Sequence, residues 1–393
     1  MLLWMFLMQC EKEEPLPGPD DPVHIPDVAF LNACLERGVD KNGDGVISYL
    51  EAEETEELVL VDLGISDLTG IEAFKNMTYL DCGNNQLTRL DLSDHPYLQI
   101  LSCAYNNLIS LKLGEKPELK ELSCARNGIL SLDLSNSPAL TVLRCGYNNL
   151  VALDVSECVG LTGLSCGANR ITRLDIGNNS DLEYLDCSKN KLTDLDISNS
   201  EWLLYLNCSA NQLGHLDISS SKWLEILICE DNQLEHLDLS QNINLKELHG
   251  YCNLLEELDV SYNQKLEILD CRDTQLSSLD LSQNPLLVWV FCSQNYLTSL
   301  DLSANTLLTI IDCNINRIKE LDFSYNTNLH ALHCSANELT RLDISSNLLL
   351  ENLYVENMPS LKEVCVWTLP FPPEGVRIVA DGSPNIVYTT DCK

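Results

Sequence analysis

Positive charge is scarce in this chain. Of 393 residues, 24 are Lys or Arg against 59 Asp or Glu, which leaves a formal net charge of -35. Such a field repels phosphate backbones and anionic lipid headgroups, so nucleic acid is excluded as a partner and a membrane is reachable only through a lipid anchor. No apolar run reaches the roughly 20 residues that a spanning helix needs. Paired C-x-x-C elements that would hold zinc are missing, and so is a phosphate-cradling Gly loop. His249, His330 and His333 have no nucleophile or base beside them at a recognisable spacing. Enzymatic chemistry is therefore not expected.

Cysteine, in contrast, is abundant and periodic. Of the 18 in the chain, Cys82, Cys103, Cys124, Cys145, Cys166, Cys187, Cys208 and Cys229, then Cys271, Cys292, Cys313 and Cys334, fall on one 21-residue register. Asn follows three residues later, from Asn85 to Asn337, with Thr274 breaking the series and Gly250 standing where one Cys is missing. The frame is L-x-x-L-x-C-x-x-N-x-L-x-x-L-D-L-S. A unit of this size cannot bury its own apolar face, so it must stack on its neighbours as a solenoid.

The frame resembles the leucine-rich repeat, with Cys at the third strand position, in a 21-residue form similar to a bacterial subclass of the family. The resemblance implies an α/β-type repeat solenoid: a leucine-rich-repeat arc of about thirteen regular coils with a parallel β-sheet on its concave face. Each coil should supply one short strand such as Tyr184 to Cys187. Alternation along the strand sends Leu and Cys inward and the intervening residues to the open face. The Asn series is expected to bond backbone groups at the turn ending each strand.

Equivalent positions on neighbouring parallel strands do not suit disulfides, so the ladder is expected to be stacked free thiols acting as small hydrophobes, with a metal array as the alternative. Cys365 and Cys392 bracket the segment after the last regular coil and are expected to close it as a disulfide in an oxidising compartment. The organisation expected is 1–10 a truncated or atypical signal segment, 11–26 a proline-rich acidic linker, 27–57 a calcium cap, 58–360 the solenoid and 361–393 a C-terminal cap.

Residues 1–10 are apolar and end at Cys10, followed by Glu11-Lys12-Glu13-Glu14. This resembles the end of a lipoprotein signal peptide, which implies lipidation at Cys10; the acidic run is similar to the export signal of Bacteroidetes-type surface lipoproteins. No basic residue precedes the run, and Gln9 stands where a small residue is usual. The alternative is a loosely packed cytosolic N-terminus.

Asp40-Lys41-Asn42-Gly43-Asp44-Gly45-Val46-Ile47-Ser48-Tyr49-Leu50-Glu51 fits the EF-hand loop D-x-[DN]-x-[DN]-G-x(5)-E at every position. Asp40, Asn42 and Asp44 would bind Ca2+ through side-chain oxygens, Val46 through its carbonyl, Ser48 directly or through water, and Glu51 through both carboxylate oxygens. Helices are expected over Asp27 to Arg37 and Tyr49 to Glu57, with Ser48 capping the second. A single hand at a solenoid end reads as a filled structural cap; the alternative is a degenerate loop kept as a capping turn. The Asp series from Asp91 to Asp343 is assigned to turn-making, with a cation-binding ribbon as its rival.

Open-face residues are small in early coils and large later. Ile226, Ile228, His249, Tyr251, Ile268, Arg272, Trp289, Phe291 and Ile310 form an aromatic, Arg-containing set of the kind that binds proteins. The expected function is a non-catalytic recognition module and monomer, anchored as an outer-membrane lipoprotein with its ligand, an extracellular protein, on the concave face. Two rivals are a surface carbohydrate-binding protein using Tyr184, Tyr205, Trp289 and Phe291, and a structural spacer.

Overall fold

The computed structural model describes residues 17–392, so the lipidation site expected at Cys10 lies outside the described residues. Two helices open the fold, α1 (Val28–Glu36) and α2 (Tyr49–Glu53). A 16-stranded parallel sheet follows, running from Glu57–Val59 to Arg377–Val379. The strands are three residues long, and equivalent positions pair across coils, as in Tyr184↔Tyr205↔Ile226. The sheet has more strands than the thirteen coils expected, because the irregular ends pair as well. Arg377–Val379 adds to Asn352–Tyr354 at the end of this sheet, while Val387–Thr389 adds to Glu363–Cys365 in a separate three-stranded sheet. Ladder pairing thus continues past residue 360, into the segment expected to be a separate cap.

The strand expected at Tyr184 to Cys187 ends at Asp186. Leu185 and Cys187 are both fully buried. Beyond Cys187 the chain turns through the left-handed region, at φ 51° for Lys189, and a residue in that conformation recurs in every coil. The Asn ladder closes this turn. Asn190 Nδ2 lies 3.0 Å from Cys187 O and 3.1 Å from Cys166 O of the preceding coil, while its Oδ1 accepts from Ile171 N at 3.0 Å. One amide thus satisfies carbonyls in two coils and an amide in the earlier one, which locks coil to coil.

A second 21-residue ladder sits in the opposite turn: His95, Lys116, Ser137, Cys158, Asn179, Ser200 and Ser221, then Asn242 to Asn347. All are essentially excluded from solvent. Asn263 is representative, its Nδ2 donating to Leu239 O at 3.2 Å and Asn242 O at 2.9 Å. Changing residue identity hides this series in the sequence, since burial is what all its members share; most side chains also bond carbonyls, while the hydroxyls of Ser137 and Ser200 have no hydrogen-bond partner among the described residues. Lys116 is the outlier. Its ammonium is buried and donates to Leu92 O at 2.8 Å and to Leu113 O, and burial pulls its pKa down to about 8.

The Asp series makes turns, as expected. Asp196 Oδ1 accepts from Ser198 N at 2.9 Å, and its neighbours repeat the bond. Lys112, which stands where the 21-residue period would place an Asp, is bridged to Asp91 at 3.0 Å. The ladder cysteines are free and buried, and burial raises their pKa, to about 12 at Cys82, Cys124, Cys166, Cys229 and Cys334.

Candidate functional site

The N-terminal loop is wound by its own side chains. Asp40 accepts from Gly43 N at 2.7 Å and Gly45 N at 2.9 Å; Asn42 Oδ1 accepts from Asp44 N at 2.8 Å and Asp44 Oδ1 from Val46 N at 2.9 Å. Gly43 and Gly45 take φ of 74° and 85°, which glycine adopts without cost. Glu51 turns its carboxylate onto the loop, accepting from Lys41 N (2.9 Å), Ser48 N (2.9 Å) and Ser48 Oγ (2.8 Å). The amide of Ser48 is the largest influence holding Glu51 down to about 2. Ser48 and Glu51 therefore form a capping box at α2, and as a calcium ligand Glu51 would exchange some of these bonds for the ion. The donor set fits a hard cation: all oxygen, with three loop side chains at alternate positions and lone pairs to spare. Helix α2 stops at Glu53 instead of Glu57 because the chain must leave it to start the sheet at Glu57–Val59.

The cap is fastened on two sides. Val23 N bonds Ile47 O at 2.8 Å and Pro22 bridges Ser48, so part of the expected linker is a strand partner of the loop. Asp27 caps α1 through Oδ1 and holds Ser66 N (2.9 Å), Ser66 Oγ (3.1 Å) and Asp67 N (3.1 Å) through Oδ2. Burial opposes ionisation of Asp27, but these bonds outweigh it and keep its carboxyl low. Phe30 packs near Phe74 of the first coil with ring centroids 6.1 Å apart. Cap and solenoid form one body.

Of the nine residues expected to bind a partner, seven lie on five consecutive strands of the open face, and Tyr251 and Arg272 lie just past the ends of two of those strands. Ile226, Glu247, Ile268, Trp289 and Ile310 make one row; Ile228, His249, Asp270, Phe291 and Asp312 make the next. The register corrects the reading of a continuous large surface, because Glu247 interrupts the first row and Asp270 and Asp312 the second. Arg272 is committed internally: its guanidinium grips Asp270 at 2.8 and 2.5 Å and stacks between Tyr251 (5.1 Å) and Phe291 (5.3 Å). It braces the two aromatic rings, and the apolar edge left for a partner centres on Trp289, which is 40% exposed. Tyr184 and Tyr205 stack on each other at 4.4 Å.

Three features went unpredicted. Trp202 and Trp223, on successive coils, are both half exposed. Tyr105, Arg126 and Tyr147 share one repeat position, the left-handed one, and the guanidinium lies over both rings. Their spacing of 21 was a legible signal. The third is the second buried ladder.

Among the described residues, the acidic, thiol and imidazole groups that approach as a metal-like trio are Asp343, Cys365 and Cys392, and these two cysteines are disulfide-bonded with Cα atoms 5.5 Å apart. No helix among the described residues is long and apolar enough to cross a membrane.

Solved structures show the same coil. The functional domain of InlJ from Listeria monocytogenes, which includes a cysteine ladder, matches with TM-score 0.72 and 30% identity over 86% of this chain and 80% of that one. This chain belongs to the leucine-rich-repeat family. An internalin, InlF from Listeria monocytogenes, matches with TM-score 0.71 and 22% identity over 79% of this chain and 96% of that one. The plant peptide hormone receptor RGFR1, solved in complex with RGF2, shares the fold with TM-score 0.60 and 20% identity, over 84% of this chain and 66% of that one. No protein-family model matches this leucine-rich-repeat sequence, and no curated protein does.

Proposed function

We propose that this leucine-rich-repeat protein is a non-catalytic recognition module that binds a protein on the open face of its sheet, around Trp289, Phe291 and the flanking isoleucines. The observation that carries the reading is the braced aromatic edge: Arg272 fixes Tyr251 and Phe291 beside an exposed Trp289, so little side-chain entropy is lost when a partner covers them. The complex of RGFR1 with RGF2 supports a protein or peptide as the kind of partner that a chain of this fold binds. Immobilised full-length chain is to be tested against extracellular proteins and glycan arrays. Trp289→Ala with Phe291→Ala should weaken a saturable protein ligand at least tenfold at unchanged melting temperature; unchanged affinity, or a ligand found on the glycan array alone, overturns the reading.

We propose further that the chain is an outer-membrane surface lipoprotein anchored at Cys10, and that its N-terminal loop holds structural Ca2+ through Asp40, Asn42, Asp44, Val46, Ser48 and Glu51. Palmitate incorporation together with loss of the protein on protease shaving of intact cells supports the anchor, and unlabelled, protected protein refutes it. Calorimetric titration of chelator-treated protein should show one Ca2+ site weakened by Glu51→Gln; the absence of binding heat refutes the calcium assignment.

A further inference from the structure

In a chain with net charge -35, two guanidiniums on the open face, those of Arg126 and Arg144, make no hydrogen bond to an acid among the described residues, although Arg144 is loosely ion-paired with Glu121. Arg126 lies 4.2 Å above the Tyr147 ring and 5.3 Å from that of Tyr105. This cation–π clamp fixes the group while leaving its charge intact, unlike Arg272, which Asp270 neutralises. Arg144 reaches Glu121 only at 3.8 Å, beyond hydrogen-bond range. Both line a groove of about 300 Å³ together with Tyr105, Tyr147 and Asp186.

The groove exists because its floor is made of small residues, and a side chain at Gly146 or Gly167 would crowd it. A Cβ on Gly167 would sit 2.8 Å from Ser188 Oγ and 2.9 Å from Asp186 Oδ1; one on Gly146 would sit 3.0 Å from Gly167 O. The one acid lining the groove is tied to its own turn, Asp186 Oδ1 accepting from Ser188 N at 3.0 Å and Ser188 Oγ at 2.7 Å; these neutral donors anchor the carboxylate without cancelling its charge, so the groove sets two guanidiniums against one carboxylate. What remains open is a recess the size of a side chain, edged by planar donors that suit a carboxylate.

We propose that this groove is a subsite for a glutamate or aspartate side chain of the protein partner, gripped by Arg126 and Arg144. The proposal rests on the protein-recognition reading and assigns the partner an acidic contact seven to eight coils from Trp289.

The test uses full-length protein and a fluorescein-labelled peptide of alternating Glu and Gly, with the Gln counterpart as control, followed by anisotropy at low and physiological salt. A protein of this net charge repels the Glu peptide overall, so saturable binding has to be local. The Glu peptide should bind at least tenfold more tightly than the Gln peptide and lose at least tenfold in affinity on Arg126→Gln with Arg144→Gln. Arg126→Lys should fall between, because it retains charge but not the bidentate stacked geometry. Equal binding of the two peptides, or no loss in the double variant, overturns the proposal, as does an oligogalacturonate that outcompetes the Glu peptide. The variant Trp289→Ala with Phe291→Ala separates this subsite from the parent reading: it should leave Glu-peptide binding intact, and loss there would overturn the groove assignment.

Discussion

Raising the pH should unfold this protein abruptly, and the cysteine ladder sets where. Twelve ladder thiols are buried and free. Burial raises them, to about 12 at Cys82 and Cys166 and well above the usual value at Cys103, Cys187 and Cys313. The unfolded chain releases the same protons near 9.0. Between pH 9 and 12 the native state therefore holds more protons than the unfolded state, and stability falls as pH rises. Each thiol costs RT ln(1 + 10^(pH-9)), about 0.8 kcal/mol at pH 9.5 and about 1.4 at pH 10. Twelve together cost about 10 and about 17 kcal/mol, comparable to the whole stability of an ordinary domain. The result depends only on the native values lying above about 10. Lys116 acts in the opposite sense: lowered to about 8 by burial, it favours the native state as pH climbs from 8 toward 10.5, by about 2–3 kcal/mol at pH 10, which is far too little to reverse the trend.

The assay is urea unfolding followed by circular dichroism under argon with a reductant, from pH 7.5 to 10.5. Stability should be nearly flat to pH 8.5 and then collapse within about 1.5 pH units. Cys187→Val with Cys208→Val should remove about 2.8 kcal/mol per pH unit from the slope above pH 9.5, because each thiol contributes about 1.4. A folded protein at pH 10.5 with an unchanged urea midpoint would refute the idea that the ladder is a stack of protonated, solvent-excluded thiols.

Three further outcomes follow from the packing. Thr274 Oγ1 lies 3.0 Å from Cys271 O and 2.7 Å from Asn295 Oδ1, but it cannot reproduce the two-coil amide bonding of its neighbours; Thr274→Asn should raise stability by about 1 kcal/mol in urea unfolding. Gly250 occupies a vacant ladder position where a Cβ would meet Cys229 Sγ and Asp270 O at an easy 3.9 Å, so Gly250→Ala should stabilise by about 1 kcal/mol, checked by the same measurement. Asp27→Ala removes an N-cap and three bonds to Ser66 and Asp67; it should loosen the cap by about 3 kcal/mol, seen as faster amide exchange in α1 while the central coils keep their protection.

The solenoid was legible because its residues serve the same purpose in every coil. Leu185, Cys187 and Asn190 each have one satisfactory environment, and a 21-residue period repeats it. The ends were less legible: Arg377–Val379 and Val387–Thr389 pair through backbone bonds that any side chain permits and pack Ile378 and Tyr388 on the core, and no ladder Cys or Asn marks them. The second ladder escaped for a related reason. His95, Lys116 and Asn179 fill one buried slot with different groups that bond to carbonyls, and Ser137 fills it with a hydroxyl that has no hydrogen-bond partner among the described residues, so the constraint lies in burial and fit and not in residue type. At the open face, size could be read from sequence but commitment could not: Arg272 is engaged by Asp270, two residues away, whereas the Arg126 guanidinium lies over the rings of Tyr105 and Tyr147.

The two breaks in the internal ladders, Gly250 and Thr274, lie in the coils that carry Tyr251, Arg272 and Asp270 on their outer side. Elsewhere the ladder is uninterrupted from Cys271 to Cys334 and from Cys82 to Cys229, so drift without selection on the face would not be expected to put both breaks beneath the one braced cluster. Gly250 directly precedes Tyr251 and follows His249, and a residue without a side chain at that point leaves the backbone between two large open-face groups least constrained from inside. Repeat stability is close to a sum of coil and interface contributions, so one weakened interface lowers the total by only its own share and leaves the other coils intact. The coils around Gly250 and Thr274 are thus where the solenoid tolerates local loss of internal bonding in order to present its most specialised surface. Restoring both ladders with Gly250→Ala and Thr274→Asn therefore tests whether internal regularity and surface geometry are coupled there: stability should rise, and any change in recognition would come through the placement of Tyr251 and Arg272.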